Sequence, residues 1–212
     1  MRLCGAGSWT INPAAENPIG TFQNGVGVKF IPCAIPDLVL IEFDVHADAR
    51  GYFIESYNQR TFHQAGLQVE FIQDNISVSA RGTLRGLHYQ LNPHAQGKLV
   101  RVTQGQVFDV AVDIRRGSPW YGQWVGVELS EENKKALYIP PGFAHGFYVQ
   151  SERAQFMYKC TQLYSPHVDR GIIWNDPEIG IAWPLSGELI LSEKDKVRPS
   201  LAAADNNFTY VG

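Results

Sequence analysis

Val107-Phe108-Asp109-Val110-Ala111-Val112-Asp113-Ile114 alternates with a period of two, which places Phe108, Val110, Val112 and Ile114 on one face of an extended strand and a mixed set on the other. It is one of a series of short apolar runs bounded by turn-forming residues, at 38–43, 71–79, 98–102, 107–114, 124–129, 136–139, 146–149, 154–161 and 172–174. That rhythm predicts an all-β chain. Helical patterning is confined to Asn58–Ala65, with Asn58 as cap and Gly66 at its end, and to a short turn after Ser192. A parallel α/β sheet needs far more helix than this. Many closely spaced strands joined by turns such as Thr103-Gln104-Gly105-Gln106 predict a sandwich or barrel of the jelly-roll type.

The 212 residues, 44% apolar and only 18% charged, suit one globular domain burying roughly 70% of its unfolded-chain surface. Residues 1–24 carry Gly, Pro, Asn and Ser without a hydrophobic period and read as a flexible leader; folding is expected to begin near Val26, giving a single domain over 25–212. Eighteen basic against 21 acidic residues leave a net charge of −3, without the basic excess of a nucleic-acid binder. No apolar run approaches the roughly 18 residues of a membrane span, and the start of the chain lacks a signal-peptide apolar region, so a cytoplasmic protein is expected. Cys4, Cys33 and Cys160 are an odd number without C-x-x-C spacing, which predicts buried thiols rather than a disulfide framework or zinc knuckle.

Polar residues concentrate at Arg81–Gln90 and again at Gln96-Gly97-Lys98. Just upstream, Gln73, Asn75 and Ser77 share one face of a strand, costly to bury unless a polar ligand satisfies it; a solvent-facing side is the alternative. In Ile139–Phe147, His145 sits in an apolar, turn-forming context that by itself suits a structural histidine. Tyr158 falls beside Phe156 and Cys160 on an apolar face, as a core tyrosine does. Ser192-Glu193-Lys194-Asp195 has capping spacing, which alone accounts for Asp195. Pro140–His145 also matches the second, P-x-G-x-x-H motif of metal cupins. The first motif is missing: His88-Tyr89-Gln90 puts an amide where a second histidine is needed, and no carboxylate follows before Lys98. His88 and His145 do not fill a three-ligand site, so no metal is expected.

Taken in order, Val28–Pro32, Asp48–Glu55, Gln73-Asp74-Asn75, Arg85–Gln90, Gln96–Arg101, Phe108–Arg115, Ile139–Phe147, Tyr158–Thr161, Trp174–Pro177 and Leu191–Asp195 resemble the dTDP-4-dehydrorhamnose 3,5-epimerases, cofactor-free enzymes of the cupin class, over nearly all of the chain except the leader. The resemblance implies a cupin-type jelly-roll β-barrel with a few short helices. It implies as substrate dTDP-4-dehydro-6-deoxy-D-glucose, epimerised at carbons 3 and 5, and a homodimer in which partner residues help line the nucleotide end. His88 corresponds to the general base, Asp195 to its carboxylate partner, Tyr158 to the proton donor on the opposite ring face and Lys98 to the cation beside the enolate oxygen. Arg50, Glu55, Gln73, Asn75, Arg85, His145 and Lys194 correspond to substrate contacts, and Tyr164 to the aromatic that stacks on thymine.

Two departures stand out. Asp169 takes the place of a glutamate contact and is one methylene shorter; Ser118-Pro119-Trp120-Tyr121-Gly122 replaces the usual S-P-T-F-G surface turn. Three other functions share parts of this pattern: a single-centre epimerase of a related dTDP-ketosugar, a non-catalytic sugar-nucleotide-binding cupin and a metal-dependent cupin oxygenase. The joint presence of His88, Asp195, Tyr158 and Lys98 weighs against the non-catalytic one.

Overall fold

The computed structural model describes Gly27–Val211 together with the backbone of Leu3–Cys4 and Phe22–Gln23; the rest of the leader lies outside the described residues. Among the described residues, fifteen strands run in chain order: β1 (Leu3–Cys4), β2 (Phe22–Gln23), β3 (Lys29–Pro32), β4 (Val39–Glu42), β5 (His46–Asp48), β6 (Gly51–Phe53), β7 (Gln73–Ala80), β8 (Leu84–Gln90), β9 (Lys98–Gln104), β10 (Gln106–Asp113), β11 (Trp124–Ser130), β12 (Ala136–Ile139), β13 (Phe143–Val149), β14 (Arg153–Cys160) and β15 (Asp169–Gly171). Two short helices, α1 (Gln59–Gln64) and α2 (Glu193–Lys196), and a 3-10 turn at Leu201–Ala203 complete the described elements. No described helix is long and apolar enough to cross a membrane.

Six strands form one sheet in the order β1-β11-β10-β13-β8-β15, and seven form a second in the order β2-β3-β4-β12-β9-β14-β7. From β7 onward the chain changes sheet at every step except β10 to β11, an antiparallel pair within the six-stranded sheet, which is a jelly-roll path. The corner between β9 and β10 is Gly105, at φ 78°, where a Cβ would lie 2.0 Å from the Arg153 carbonyl oxygen. Among the described residues no strand pairing joins the two sheets, so the expected barrel is an open jelly-roll sandwich.

Three apolar clusters hold it together. Between the sheets, Val100, Val102, Ala111, Val127, Leu137, Phe147 and Phe156 interlock. Phe108, Val110, Val112 and Ile114, the face marked out by the β10 alternation, lie instead on the outer side of the six-stranded sheet, under Ile172, Ile179, Leu201 and Phe208. On the outer side of the other sheet, Phe62 of α1 covers Phe30, Ile41 and Leu99 together with Ala65 and Leu67 from the turn that follows it. Each such large apolar side chain contributes roughly 1.5–3 kcal/mol by leaving water. Asn58 caps α1 by accepting from the Arg60 and Thr61 amides, and Ser192 caps α2, as their spacing predicts.

Candidate active site

A cleft of about 600 Å³ lies between β7 of one sheet, β8 and β15 of the other, and α2 with its flanks. β8 was legible only as a cluster of polar residues, because its sequence does not alternate. Arg85 and His88 are three residues apart, and a regular strand would send them to opposite faces. The pairing prevents this: His88 stands opposite His145 and Arg85 opposite Phe147, so β8 spends one residue more than β13 between the same two points. Gly86 occupies this bulge at φ 137°, its absent Cβ only 2.6 Å from the Gly146 Cα. Arg85 and His88 thereby join His145 and Phe147 on the face that looks between the sheets.

His88 Nε2 is 2.6 Å from Asp195 Oδ1, and Asp195 is buried while His88 remains a third exposed. An ionised carboxylate at Nε2 keeps the proton there, leaving Nδ1 as the nitrogen with a lone pair. The Ser192 hydroxyl accepts from the Asp195 amide at 3.2 Å, so the cap uses the backbone and frees the side chain for His88. Burial pushes the Asp195 carboxyl up, but His88, the Ser192 side chain and Arg198 outweigh it and hold it below its ordinary value.

A second pair stands beside the first. His145 Nε2 is 2.9 Å from Asp109 Oδ2, with both side chains buried. Burial lowers the His145 imidazolium below its usual value, with Asp109 opposing and Lys98 and His88 adding to the effect. Across the gap, β9 and β14 align Lys98 with Cys160 and Val100 with Tyr158, so Lys98 and Tyr158 share the inward face of the seven-stranded sheet. Burial pushes the Lys98 ammonium below its ordinary range, against the pull of Cys160, Asp109 and Asp169. Burial also raises the Tyr158 phenol, with Cys160 adding and Arg85 opposing. Base and acid candidates therefore come from facing sheets.

The strand carrying Gln73, Asn75 and Ser77 turns that polar face inward and exposes Ile76 and Val78 instead. Gln73 donates to Asn75 at 3.0 Å and accepts from the Tyr164 amide at 2.8 Å; Asn75 donates to the buried Cys160 sulfur at 3.6 Å. Ser77 Oγ is buried without a partner. Arg85, Tyr164, Asp169, Lys194 and Asp195 all line the cleft with His88. Gln73, Asn75, Lys98, His145 and Tyr158 face between the sheets without lining it, and Arg50 and Glu55 stand apart: Arg50 is paired with Asp48 at the tip of the β5–β6 hairpin, and both Arg50 and Glu55 are exposed. Asp109 and Arg198 escaped the sequence reading. An aspartate within an apolar strand was the available signal for Asp109, whereas nothing in Lys196-Val197-Arg198-Pro199 marks Arg198. Among the described residues no three His, Cys, Asp or Glu side chains are grouped as a metal ion requires.

With this geometry in view, residues 32–203 match the family model described as dTDP-4-dehydrorhamnose 3,5-epimerase. The chain belongs to the dTDP-4-dehydrorhamnose 3,5-epimerase family. It is 60% identical over 179 residues to the epimerase of that name from Pseudomonas aeruginosa, covering 84% of this chain and 98% of the relative. A solved dTDP-6-deoxy-D-glucose-3,5-epimerase from Legionella pneumophila, in complex with dTDP-4-keto-L-rhamnose, superposes with a TM-score of 0.82 at 49% identity, covering 84% of this chain and 95% of that one. A 3'-monoepimerase from Streptomyces bikiniensis in complex with dTDP-quinovose is also similar, with a TM-score of 0.77 at 35% identity, covering 81% of this chain and 87% of that one.

Proposed function

We propose that this family member inverts carbons 3 and 5 of dTDP-4-dehydro-6-deoxy-D-glucose to give dTDP-4-dehydro-L-rhamnose. The ketone at carbon 4 acidifies the hydrogens on its neighbours, because the electron pair left behind delocalises onto oxygen. His88 Nδ1 takes the proton, and Asp195, bonded to Nε2, steadies the imidazolium that forms. Lys98 donates to the enolate oxygen as its charge develops, a role worth roughly 10²–10³ in rate. Tyr158 returns a proton to the opposite face of the ring, and solvent then takes the proton from the His88 imidazolium and reprotonates the tyrosinate, resetting both groups for the second carbon. The observation that carries this reading is the placement of His88 on one sheet, held by Asp195 from α2, and of Tyr158 with Lys98 on the inward face of the sheet opposite.

Gln73, Asn75, Arg85, Tyr164 and Lys194 serve as substrate contacts in this reading, and His145, enclosed with Asp109, backs His88 from the neighbouring strand. Arg50 and Glu55, exposed on and after the β5–β6 hairpin, suit donation to a second copy in a homodimer. A buried thiol at Cys160 accords with the reducing cytoplasm as its location. Proton NMR in D₂O with dTDP-4-dehydro-6-deoxy-D-glucose tests the function. Solvent exchange at carbons 3 and 5, abolished in His88→Ala, is the expected result; exchange at one centre alone identifies a single-centre epimerase, and none at either refutes an epimerase on this substrate.

A further inference from the structure

Asp169, the shortened counterpart of a glutamate substrate contact, is already engaged: Arg198 Nη2 donates to its Oδ2 at 3.1 Å, with the two side chains 16% and 20% exposed. Both line the cleft with His88 and Tyr164. Their position along it follows from β8, where Asp169 stands opposite Gln90, two residues beyond His88. Gln90 in turn accepts from the Ser165 amide at 2.8 Å and so ties the strand to the turn bearing Tyr164. The pair thus lies between the reacting end and the nucleotide end. Arg85 and Lys194 line the same cleft, making Arg198 its third cation. Only one of the five guanidinium N–H groups is taken by Asp169, and Nε is buried with no partner at all.

Resting on the epimerase reading of the cleft, we propose that Arg198 is a substrate-binding residue that contacts the diphosphate, and that Asp169 is its counter-ion and does not touch substrate. The arrangement has a physical rationale. A lone carboxylate beside a diphosphate would repel it, whereas a carboxylate neutralised by Arg198 leaves the wall neutral and presents a planar donor fork to phosphate oxygens.

The test is calorimetric binding of dTDP, which lacks the keto-hexose and so does not engage the His88–Asp195 chemistry, to the full chain and to Arg198→Met and Asp169→Ala, with thermal melts confirming folding. Arg198→Met keeps the buried stem but is expected to weaken dTDP about 10- to 100-fold, the effect of losing a hydrogen bond to a charged group. Asp169→Ala is expected to leave affinity unchanged or tighten it, since it releases a cation. Unchanged affinity in Arg198→Met, or equal weakening in Asp169→Ala, overturns the proposal. Should Arg198→Met fail to fold, Asp169→Ala decides alone: retained or tighter binding supports the assignment, and weaker binding refutes it. Failure of the unaltered chain to bind dTDP would instead refute the epimerase reading and this proposal with it.

Discussion

His88 and His145 stand opposite one another on neighbouring strands, each with Nε2 held by a carboxylate, but their surroundings differ. His145 and Asp109 are enclosed, whereas His88 reaches the cleft while its Asp195 stays buried. Exposure of the ring with burial of its carboxylate is what a general base needs: substrate access on one side and a fixed negative charge on the other. Asp195→Asn retains the shape of the pair but removes that charge. It is expected to lower kcat by roughly 10²–10⁴ while leaving dTDP affinity intact, read by steady-state kinetics and calorimetry. A comparable fall in dTDP affinity would show that Asp195 supports binding rather than proton transfer. The capping role read from its spacing and the histidine-partner role implied by the resemblance are compatible, because the cap engages the Asp195 amide and His88 its carboxylate.

β8 shows why the site is harder to read than the strands around it. β7, β9, β10, β11, β12 and β14 follow their apolar runs closely, since each has a face that must leave water. β8 gains its strand character from its neighbours β13 and β15, and β15 itself lies at Asp169–Gly171 rather than at the apolar 172–174. The bulge at Gly86 then reverses the face on which Arg85 falls. Gly86→Ala introduces a Cβ against Gly146 at a positive φ, and is expected to destabilise the chain by about 1–3 kcal/mol and to misplace His88 and Arg85 together. Denaturant unfolding and kinetics on the same variant check both halves; a stable Gly86→Ala with full activity would remove the bulge from the explanation. β7 carries a related lesson: its polar face was legible, but only the facing sheet turns that face inward.

Across the whole molecule, buried ionisable groups link stability to pH. His145 titrates below 6.5 in the folded chain, so unfolded chains bind more protons as the pH falls past 6.5 and stability declines. Asp195, also lowered, contributes stability that is present above its ordinary 3.8 and lost as the pH falls further through its folded value. The thermal midpoint is therefore expected to fall in two stages on acidification, and His145→Gln to remove the first; a single stage unchanged in that variant would contradict the assignment. At the alkaline end, Tyr89 and Tyr138 are pushed up to about 12 by burial, so their contribution is lost as the pH climbs from about 10 towards that value, with the lowered Lys98 acting in the opposite sense. Local alternation and capping sufficed to specify an all-β jelly roll with two short helices, because those signals depend only on which side chains must leave water and which termini need acceptors. The chemistry-bearing residues were nameable through a resemblance in ordered motifs. Their grouping was decided by tertiary structure alone: beside the β8 bulge and the facing of the two sheets, the pairs His88–Asp195, Asp109–His145 and Arg198–Asp169 join residues from 29 to 107 positions apart, distances over which no local periodicity carries information.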